Sequence, residues 1–558
     1  MQNTSGAFVI ARMLAAAGVS HLYGIPGGAI SPVSEAINLH PDLTEVLAKH
    51  EEGAAFMAQG HVQVAGGLGV VFTTTGPGAT NALTGVANAY ADQVPMLILT
   101  ANTATDRIGR GAFQDSSGGN WSVDVVDVYR SVTKLSIMLP CASQLPRLMA
   151  YAILTALSNR PGPVHLSLPG DVLLAPVPEA EEQRWTASLR TRPTVATPAK
   201  EPVTELAEVL CNARHPVVLA GLGARTAHAQ DELVRLAELL NAPVATTLNG
   251  KGVFPEDHPL SLGVFGTFGG HPTAHAALLE PDVDLVLAVG CAFGEKSTLG
   301  WTAGFLESAT LCQIDSDPTA IGRGFPVAHS IVGDARMTVA ALNQVLSAQE
   351  PRQSRSPRFS GRTDATAHQL QHGTRELRPS TVVARLSERM SGNSNVFGDI
   401  GDCMNWIGRH YACRSGTHMF MSLSFASMGY AYAAAVGGAF GAPGTRVIAI
   451  GGDAAFAMNG MEIHTAVEHD LPVTWVVLNN GGHAALRRYG LAKTATYRHP
   501  LQIASIAAGL GCPAAQVTTL DELDKAIGAA LQTSGPYLID ACVTADAVPP
   551  AGSHLKHG

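Results

Sequence analysis

The chain has 558 residues, 46% of them hydrophobic and only 15% charged, with a net charge of −9 at neutral pH. That length predicts about three domains, the composition excludes a largely disordered chain, and the acidic balance argues against a nucleic-acid or anionic-membrane partner. A charged fraction well below the usual value of about 25% covers a large monomer poorly and points to an oligomer.

The opening run MQNTSGAFVIARMLAAAGVSHLYG has no basic n-region and passes from an amphipathic helix straight into a strand. It does not read as a secretory signal, so a cytoplasmic location is expected. Strand-like runs VSHLYGI, TEVLAKH, GLGVVFTTTG, PMLILTA and GPVHLSLP follow, separated by helical stretches such as EEGAAFMAQGHVQVAG. This alternation is the pattern of a parallel α/β domain. From Leu173 to about Lys200 the chain turns Pro-, Glu- and Thr-rich and reads as a linker. A second set of strands is HPVVLAG, APVATTL, VDLVLAVG and ATLCQID, and the polar, basic EPRQSRSPRFSGRTDATAHQ after it reads as an exposed crossover. The last third carries NSNVFGDI, TRVIAIGGD, LPVTWVVLNN and PYLIDACV.

Phe425 to Ala442 is uncharged for about 18 residues, close to membrane-span length, but its Ala and Gly content predicts a buried, tightly packed helix instead. The eight cysteines are scattered without a CxxC pair, so reduced thiols are expected rather than disulfides or zinc. The expected fold class is α/β, with three doubly wound parallel-sheet domains over 1–172, 201–348 and 379–548. Linkers at 173–200 and 349–378 join them, and a tail occupies 549–558.

Gly452-Asp453-Ala454 is followed by 24 residues and then by Asn479-Asn480. Both motifs sit at the ends of predicted strands, with the helix MEIHTAVEH between, so Asp453 and Asn480 fall at the carboxyl edge of a parallel sheet, where such folds bind ligands. A carboxylate and an amide oxygen suit Mg²⁺, which takes few protein ligands and completes its octahedron with phosphate and water. The small residues Gly452, Ala454 and Ala455 let backbone N–H groups approach phosphate oxygens.

This combination resembles the fingerprint of the thiamine-diphosphate enzymes, GDG, roughly 25 residues, then NN. The resemblance implies Mg²⁺ held by Asp453, Asn480 and the carbonyl of Gly482, with Ala454 departing from the family's second Gly. In the first domain His50-Glu51-Glu52-Gly53 would by itself be a helix start whose acids complement the dipole. It resembles the HEQG motif of the acetolactate-synthase branch, which makes Glu51 the catalytic acid and Glu52 its variable neighbour. A carboxyl bonded to the aminopyrimidine N1′ favours the imino tautomer that takes the C2 proton, a contribution of about 10²–10⁴ in rate. Met428, in FASMGYA, matches the bulky residue beneath the thiazolium.

The likeness to this branch runs along nearly the whole chain. Gly24-Ile25-Pro26-Gly27-Gly28 resembles GYPGG, Thr75-Gly76-Pro77-Gly78-Ala79-Thr80-Asn81 resembles SGPGATN, and Ala112-Phe113-Gln114-Asp115 resembles AFQE. Pro26, Gly27, Thr75 and Asn81 are thereby cofactor-binding candidates. Phe113 and Gln114 are pocket candidates, Gln114 also a catalytic one, and Lys134 joins them through its likeness to TKHS. The plainer reading of Lys134 is an exposed lysine at a strand start.

The implied cofactors are thiamine diphosphate and Mg²⁺. The implied partners are a 2-oxo acid donor, pyruvate first, and an aldehyde or ketone acceptor. The implied assembly is a homodimer or homotetramer with active sites between subunits. Simple 2-oxo acid decarboxylation, or a paralogue that binds cofactor without catalysis, are the alternatives.

Three departures qualify the likeness. GQHQMW reads Gly401-Asp402-Cys403-Met404-Asn405-Trp406, and an aspartate facing a diphosphate would repel it unless it turns away. MVRQW reads Ala485-Leu486-Arg487-Arg488-Tyr489, which opens and polarises the acceptor wall at Leu486 and Tyr489. FAD stays open: Gly221-Leu222-Gly223 is a lone partial dinucleotide motif, and GARFDDR reads Gly290-Cys291-Ala292-Phe293-Gly294-Glu295-Lys296, without its arginines.

Overall fold

The computed structural model describes residues 4–158, 160–190, 197–302, 304–348, 376–545 and 547. Its strands form three six-stranded sheets in which every neighbouring pair is parallel. The first holds β1 (His21–Ile25), β2 (Thr44–Leu47), β3 (Gly69–Thr73), β4 (Met96–Asn102), β5 (Ser136–Met138) and β6 (Pro163–Pro169) in the order β2-β1-β3-β4-β6-β5. The second holds β7 (Pro216–Ala220), β8 (Val244–Thr246), β9 (Ser261–Val264), β10 (Leu285–Val289), β11 (Thr310–Asp315) and β12 (His329–Val332) in the order β12-β11-β10-β7-β8-β9. The third holds β13 (Ser394–Gly398), β14 (Thr417–Met421), β15 (Arg446–Gly452), β16 (Val473–Asn479), β17 (Ala514–Val517) and β18 (Tyr537–Cys542) in the order β14-β13-β15-β16-β18-β17.

The first and third sheets thus share one winding, while the middle sheet has the order of a dinucleotide-binding fold. Strands β3, β4, β6 and β16 are buried at every position. They lie between helical layers on both faces, which is why they read as unbroken apolar runs. The expected three α/β domains are present.

Four helices matter for the site: α1 (Glu51–Ala65), α2 (Asp402–His410), α3 (Tyr430–Gly441) and α4 (Asp453–Asn459). Helix α3 is the uncharged run of the sequence, buried along its first ten positions. Among the described residues no helix is long and apolar enough to cross a membrane. Helices α1 and α3, from different domains, cross with their backbones in contact. A Cβ at Gly60 would run into the Ala434 carbonyl, and one at Gly437 into the Met57 carbonyl. Around this crossing the two domains share one apolar core containing Phe56, Met57, Tyr432 and Trp475.

The middle domain is tied to the third by the fully buried Lys251, whose Nζ lies 2.5 Å from Glu256 Oε1 and 3.2 Å from the Gly408 carbonyl. Arg225 adds a second tie, donating to the Met419 carbonyl at 2.8 Å and lying over the Phe420 ring.

Two expectations change. The 173–200 segment is not a plain linker, since it contains the helix Glu179–Ser188. Glu179, Glu181 and Glu182 complement the positive end of that helix. Arg12 grips Glu182 through two hydrogen bonds, and Trp185 packs on the first core. The strands β5, β9, β12, β14 and β17, absent from the sequence reading, are all sheet edges. The 350–369 crossover and the 549–558 tail lie outside the described residues. All eight cysteines are free thiols, as expected.

The α1–α3 crossing is open to test. Gly437→Ala is expected to lower unfolding stability by about 1–3 kcal/mol in urea, because overpacking against a backbone outweighs the gain in helix propensity. Gly528→Ala, on the helix Leu520–Gln532 with open space where its methyl would go, is expected to raise it by about 0.5–1 kcal/mol.

Candidate active site

Strands β15 and β16 pair with Gly452 opposite Leu478, so the residues that follow them emerge side by side at the carboxyl edge of the third sheet. Asp453 opens α4 there and is 1% exposed. Its Oδ1 accepts the Ala454 N–H at 3.0 Å and its Oδ2 the Gly482 N–H at 2.7 Å. Burial pushes this carboxyl up to about 6, with the backbone N–H groups pulling the other way. The Asn480 amide oxygen accepts from Arg487 Nη2 at 2.9 Å, and the same nitrogen donates to the Asn480 carbonyl at 2.7 Å. Gly482 must be glycine: its φ is +143°, and a Cβ would strike the Ala495 carbonyl.

Asp453, Asn480 and Gly482 line a cleft together with Gly401, Asp402, Met428, Gly452, Ala454, Ala455, His483 and Leu486. At Gly401 and Gly452 a Cβ would meet nothing within 4 Å, so both glycines face open space. Asp402 stays at the cleft wall, where its Oδ2 accepts the indole N–H of Trp406, a second lining residue, at 3.0 Å, one turn along α2. The acid is tethered to that neighbour.

Sequence reading missed Asp399. Its buried carboxylate accepts the N–H groups of Ile400, Gly429 and Ala431 at 2.8, 3.0 and 2.8 Å. It binds the loop before α2 to the loop that carries Met428. The signal was present, since NSNVFGDI, like RVIAIGGD, ends a strand on an acid.

The first-domain candidates gather elsewhere. Glu51 is the first residue of α1, and its carboxylate accepts from Asn81 Nδ2 at 3.0 Å. A Cβ at Gly78 would come within 3.2 Å of Glu51 Oε1. Glu52 diverges from it: its Oε2 accepts from Asn459 Nδ2 at 3.3 Å, and burial raises its carboxyl. Thr75 donates to the Gln114 amide oxygen at 3.3 Å, with Gln114 in the left-handed region at φ +54°. The Pro26-Gly27 turn abuts Thr74, 2.6 Å from where a Gly27 Cβ would sit.

Phe113 is 91% exposed, Trp121 on the same loop is fully exposed, and Tyr489 is partly so. Lys134 takes neither site: its ammonium donates to the carbonyls of Thr155 at 2.5 Å and Ser158 at 2.7 Å, at the end of the helix Leu145–Leu157. No described residue before Pro379 lines the cleft. Within one chain the Glu51 cluster and the Asp453 cleft stay apart.

In the middle domain, Gly221 and Gly223 follow β7 where the strand order reverses. A Cβ at Gly223 would lie 2.8 Å from Gly290 Cα. The two loops pack backbone to backbone, which accounts for these glycines without a dinucleotide.

One carboxylate, one amide oxygen and a glycine-rich turn, beside glycines that open onto a cleft, form a donor set for Mg²⁺ with a phosphate ligand. Among the described residues no cluster of three or more His, Cys, Asp or Glu side chains could hold a metal ion.

Comparison with known proteins bears on the same residues. Models of the thiamine pyrophosphate enzymes match all three domains: the N-terminal TPP binding domain over residues 4–119, the central domain over 203–342 and the C-terminal TPP binding domain over 399–541. A probable acetolactate synthase large subunit from Methanocaldococcus jannaschii is 31% identical, covering 99% of this chain and 94% of its own length. Acetolactate synthase 1, chloroplastic, from Oryza sativa subsp. japonica is 32% identical, with coverages of 96% and 84%. The acetolactate synthase isozyme 3 large subunit of Escherichia coli is 33% identical, with coverages of 86% and 83%.

The Asp402–Trp406 bond gives a prediction. Trp406→Phe removes the indole donor and frees the carboxylate toward the cleft. Affinity for inorganic pyrophosphate with Mg²⁺, measured by calorimetry, is expected to fall about ten-fold, roughly 1.4 kcal/mol. Asp402→Asn in the same background is expected to restore it.

Proposed function

The chain belongs to the thiamine pyrophosphate enzyme family, and from that membership we propose a carboligase that decarboxylates a 2-oxo acid, pyruvate first among the candidates, and transfers the acyl-anion equivalent to a carbonyl acceptor. The observation that carries this reading is the buried Asp453 carboxylate beside Asn480 and Gly482, in a cleft floored by open glycines and walled by Met428. Thiamine diphosphate, when bound, supplies the electron sink for loss of CO₂ and the nucleophilic carbon that meets the acceptor.

The protein's own residues do the rest. Asp453, Asn480 and the Gly482 carbonyl would hold Mg²⁺. A cation there stabilises a carboxylate that burial otherwise drives toward its neutral form. Arg487 holds the Asn480 amide so that its oxygen keeps one orientation. The head of α2 and the turn Gly452–Ala455 offer backbone N–H groups to phosphate oxygens, with Gly401 leaving room for them. Met428 supports the cofactor from one side, its loop pinned by Asp399.

Glu51 holds a proton at the cofactor's pyrimidine nitrogen, and Asn81 keeps its carboxylate oriented. Gln114, fixed by Thr75, faces the reacting carbonyl with Phe113, while Leu486 and Tyr489 form the acceptor wall. Pro26 and Gly27 border the pyrimidine end. Lys134 has no part in this pocket, because its ammonium satisfies a helix terminus.

We infer that the active site joins the Glu51 cluster of one copy to the Asp453 cleft of another, in a homodimer or a dimer of dimers. The absence of first-domain residues from the cleft lining supports this, as do the solvent-facing Phe113 and Trp121, large apolar groups of the kind interfaces cover. The chain's low charged fraction of 15% agrees.

The decisive assay is CO₂ release from pyruvate by the purified protein with thiamine diphosphate and Mg²⁺. Glu51→Gln is expected to lower turnover by about 10²–10⁴ with little change in stability, and undiminished turnover would remove Glu51 from the chemistry. Asp453→Ala is expected to weaken Mg²⁺-dependent cofactor binding more than about ten-fold, seen by tryptophan quenching; unchanged affinity would put the metal elsewhere. Free acetaldehyde set against a ligated 2-hydroxy ketone separates a decarboxylase from a carboligase.

A further inference from the structure

We propose that Glu462 is a positioning residue for Glu51: its carboxylate, supplied by the third domain of the same chain, fixes the backbone from which the catalytic helix starts. This rests on the reading of Glu51 given above. Glu462 closes the short turn Gly460–Glu462 that directly follows α4, and it is buried. Its Oε1 accepts the backbone N–H of Lys49 at 2.9 Å and of His50 at 3.0 Å. These are the two residues immediately before Glu51, and both N–H groups precede the first helical position. The Thr465 hydroxyl lies 3.0 Å from Oε2 and 3.2 Å from the Leu47 carbonyl.

The surroundings are shaped to this carboxylate. A Cβ at Gly53 would collide with it, so the glycine of HEEG leaves the space it fills. The chain on either side is held as well. Asn459 donates to Glu52, and the Lys49 ammonium pairs with Glu468 at 2.7 Å. Burial pushes the Glu462 carboxyl up to about 7, while its hydrogen-bond donors and the nearby Lys49 charge pull it down.

A buried carboxylate is costly unless its oxygens are bonded, and here two of the three bonds come from the residues just before α1. The Glu51 side chain points the other way, to Asn81. Glu462 therefore sets where α1 begins and never touches the pyrimidine site. The run from Asp453 to Glu462 is almost continuous helix, so the same rigid segment holds the proposed metal at one end and Glu51 at the other. A misplacement of about 1 Å in a reacting group can cost on the order of 10²-fold in rate.

The test compares holoenzyme variants for CO₂ release from pyruvate. Glu462→Gln keeps the shape but replaces the charge-assisted bonds from the Lys49 and His50 N–H groups by weaker neutral ones. It is expected to lower kcat by about ten- to a hundred-fold, with KM and thiamine diphosphate affinity within about two-fold of the parent. The double variant Glu51→Gln/Glu462→Gln is expected to be no slower than Glu51→Gln alone, since the second change acts only through the first residue.

Equal slowing of the Glu51→Gln background by Glu462→Gln would overturn the proposal, leaving Glu462 as domain packing. So would an unchanged kcat for Glu462→Gln while Glu51→Gln is impaired. A fully active Glu51→Gln would instead overturn the reading of Glu51. If Glu462→Gln does not fold, Thr465→Val answers the same question. A several-fold loss of kcat that vanishes in the Glu51→Gln background supports the proposal, and a loss that persists there, or none at all, overturns it.

Discussion

Everything about this site depends on two helices meeting without side chains between them. At Gly60 and Gly437 the backbones of α1 and α3 touch neighbouring carbonyls, an approach that any larger residue forbids. The contact lies within an apolar core that the first and third domains share, beside the separate core each keeps on its other side. It also fixes how the two helices lie against each other: α1 begins at Glu51, and α3 follows the loop that carries Met428. Two elements far apart in sequence thereby acquire a fixed relation, on which the geometry of the catalytic groups rests.

Around that crossing the protein spends buried carboxylates as fasteners. Asp399 and Glu462 each accept backbone N–H groups on a neighbouring segment, and neither forms an ion pair of its own. Such groups are unfavourable in an apolar interior unless their oxygens are bonded, so any loosening of the loops they hold exposes the full desolvation cost. Asp453 shares this character, but it faces a cleft rather than packed protein. That difference separates a fastener from a ligand. The first two have filled surroundings, and the third has space for a cation and the phosphate it would carry.

The chain's motifs divide by how local their chemistry is. Asp453 and Asn480 could be placed together from sequence because each follows a strand whose apolar run marks its end, and parallel strands deliver those ends to one edge; Gly482 entered only through the family resemblance. Lys134 was not legible, since nothing near it in sequence reveals that its ammonium would meet helix-end carbonyls 21 and 24 residues downstream. Asp402 carried an expected conflict with a diphosphate, and only the structure shows its carboxylate tethered to a neighbour one turn along its own helix. Asp399 and Glu462 looked like ordinary acids on a strand end and a helix, because their partners at Gly429, Lys49 and His50 come from other segments.

By itself the sequence determined the class of fold and its central strands, since residues buried on both faces must be apolar whatever surrounds them. It also brought Asp453 and Asn480 to one carboxyl edge for a similarly local reason. Only the tertiary structure decided the sheet edges β5, β9, β12, β14 and β17, which are short or flanked on one side, so their patterns are weak. It alone decided that residues 179–188 form a helix docked through Arg12, and that Glu51 and Asp453 do not meet within one chain. Burial of a strand is a property of its own residues, whereas a hydrogen bond between distant segments exists only once the packing of α1 on α3 has brought them together.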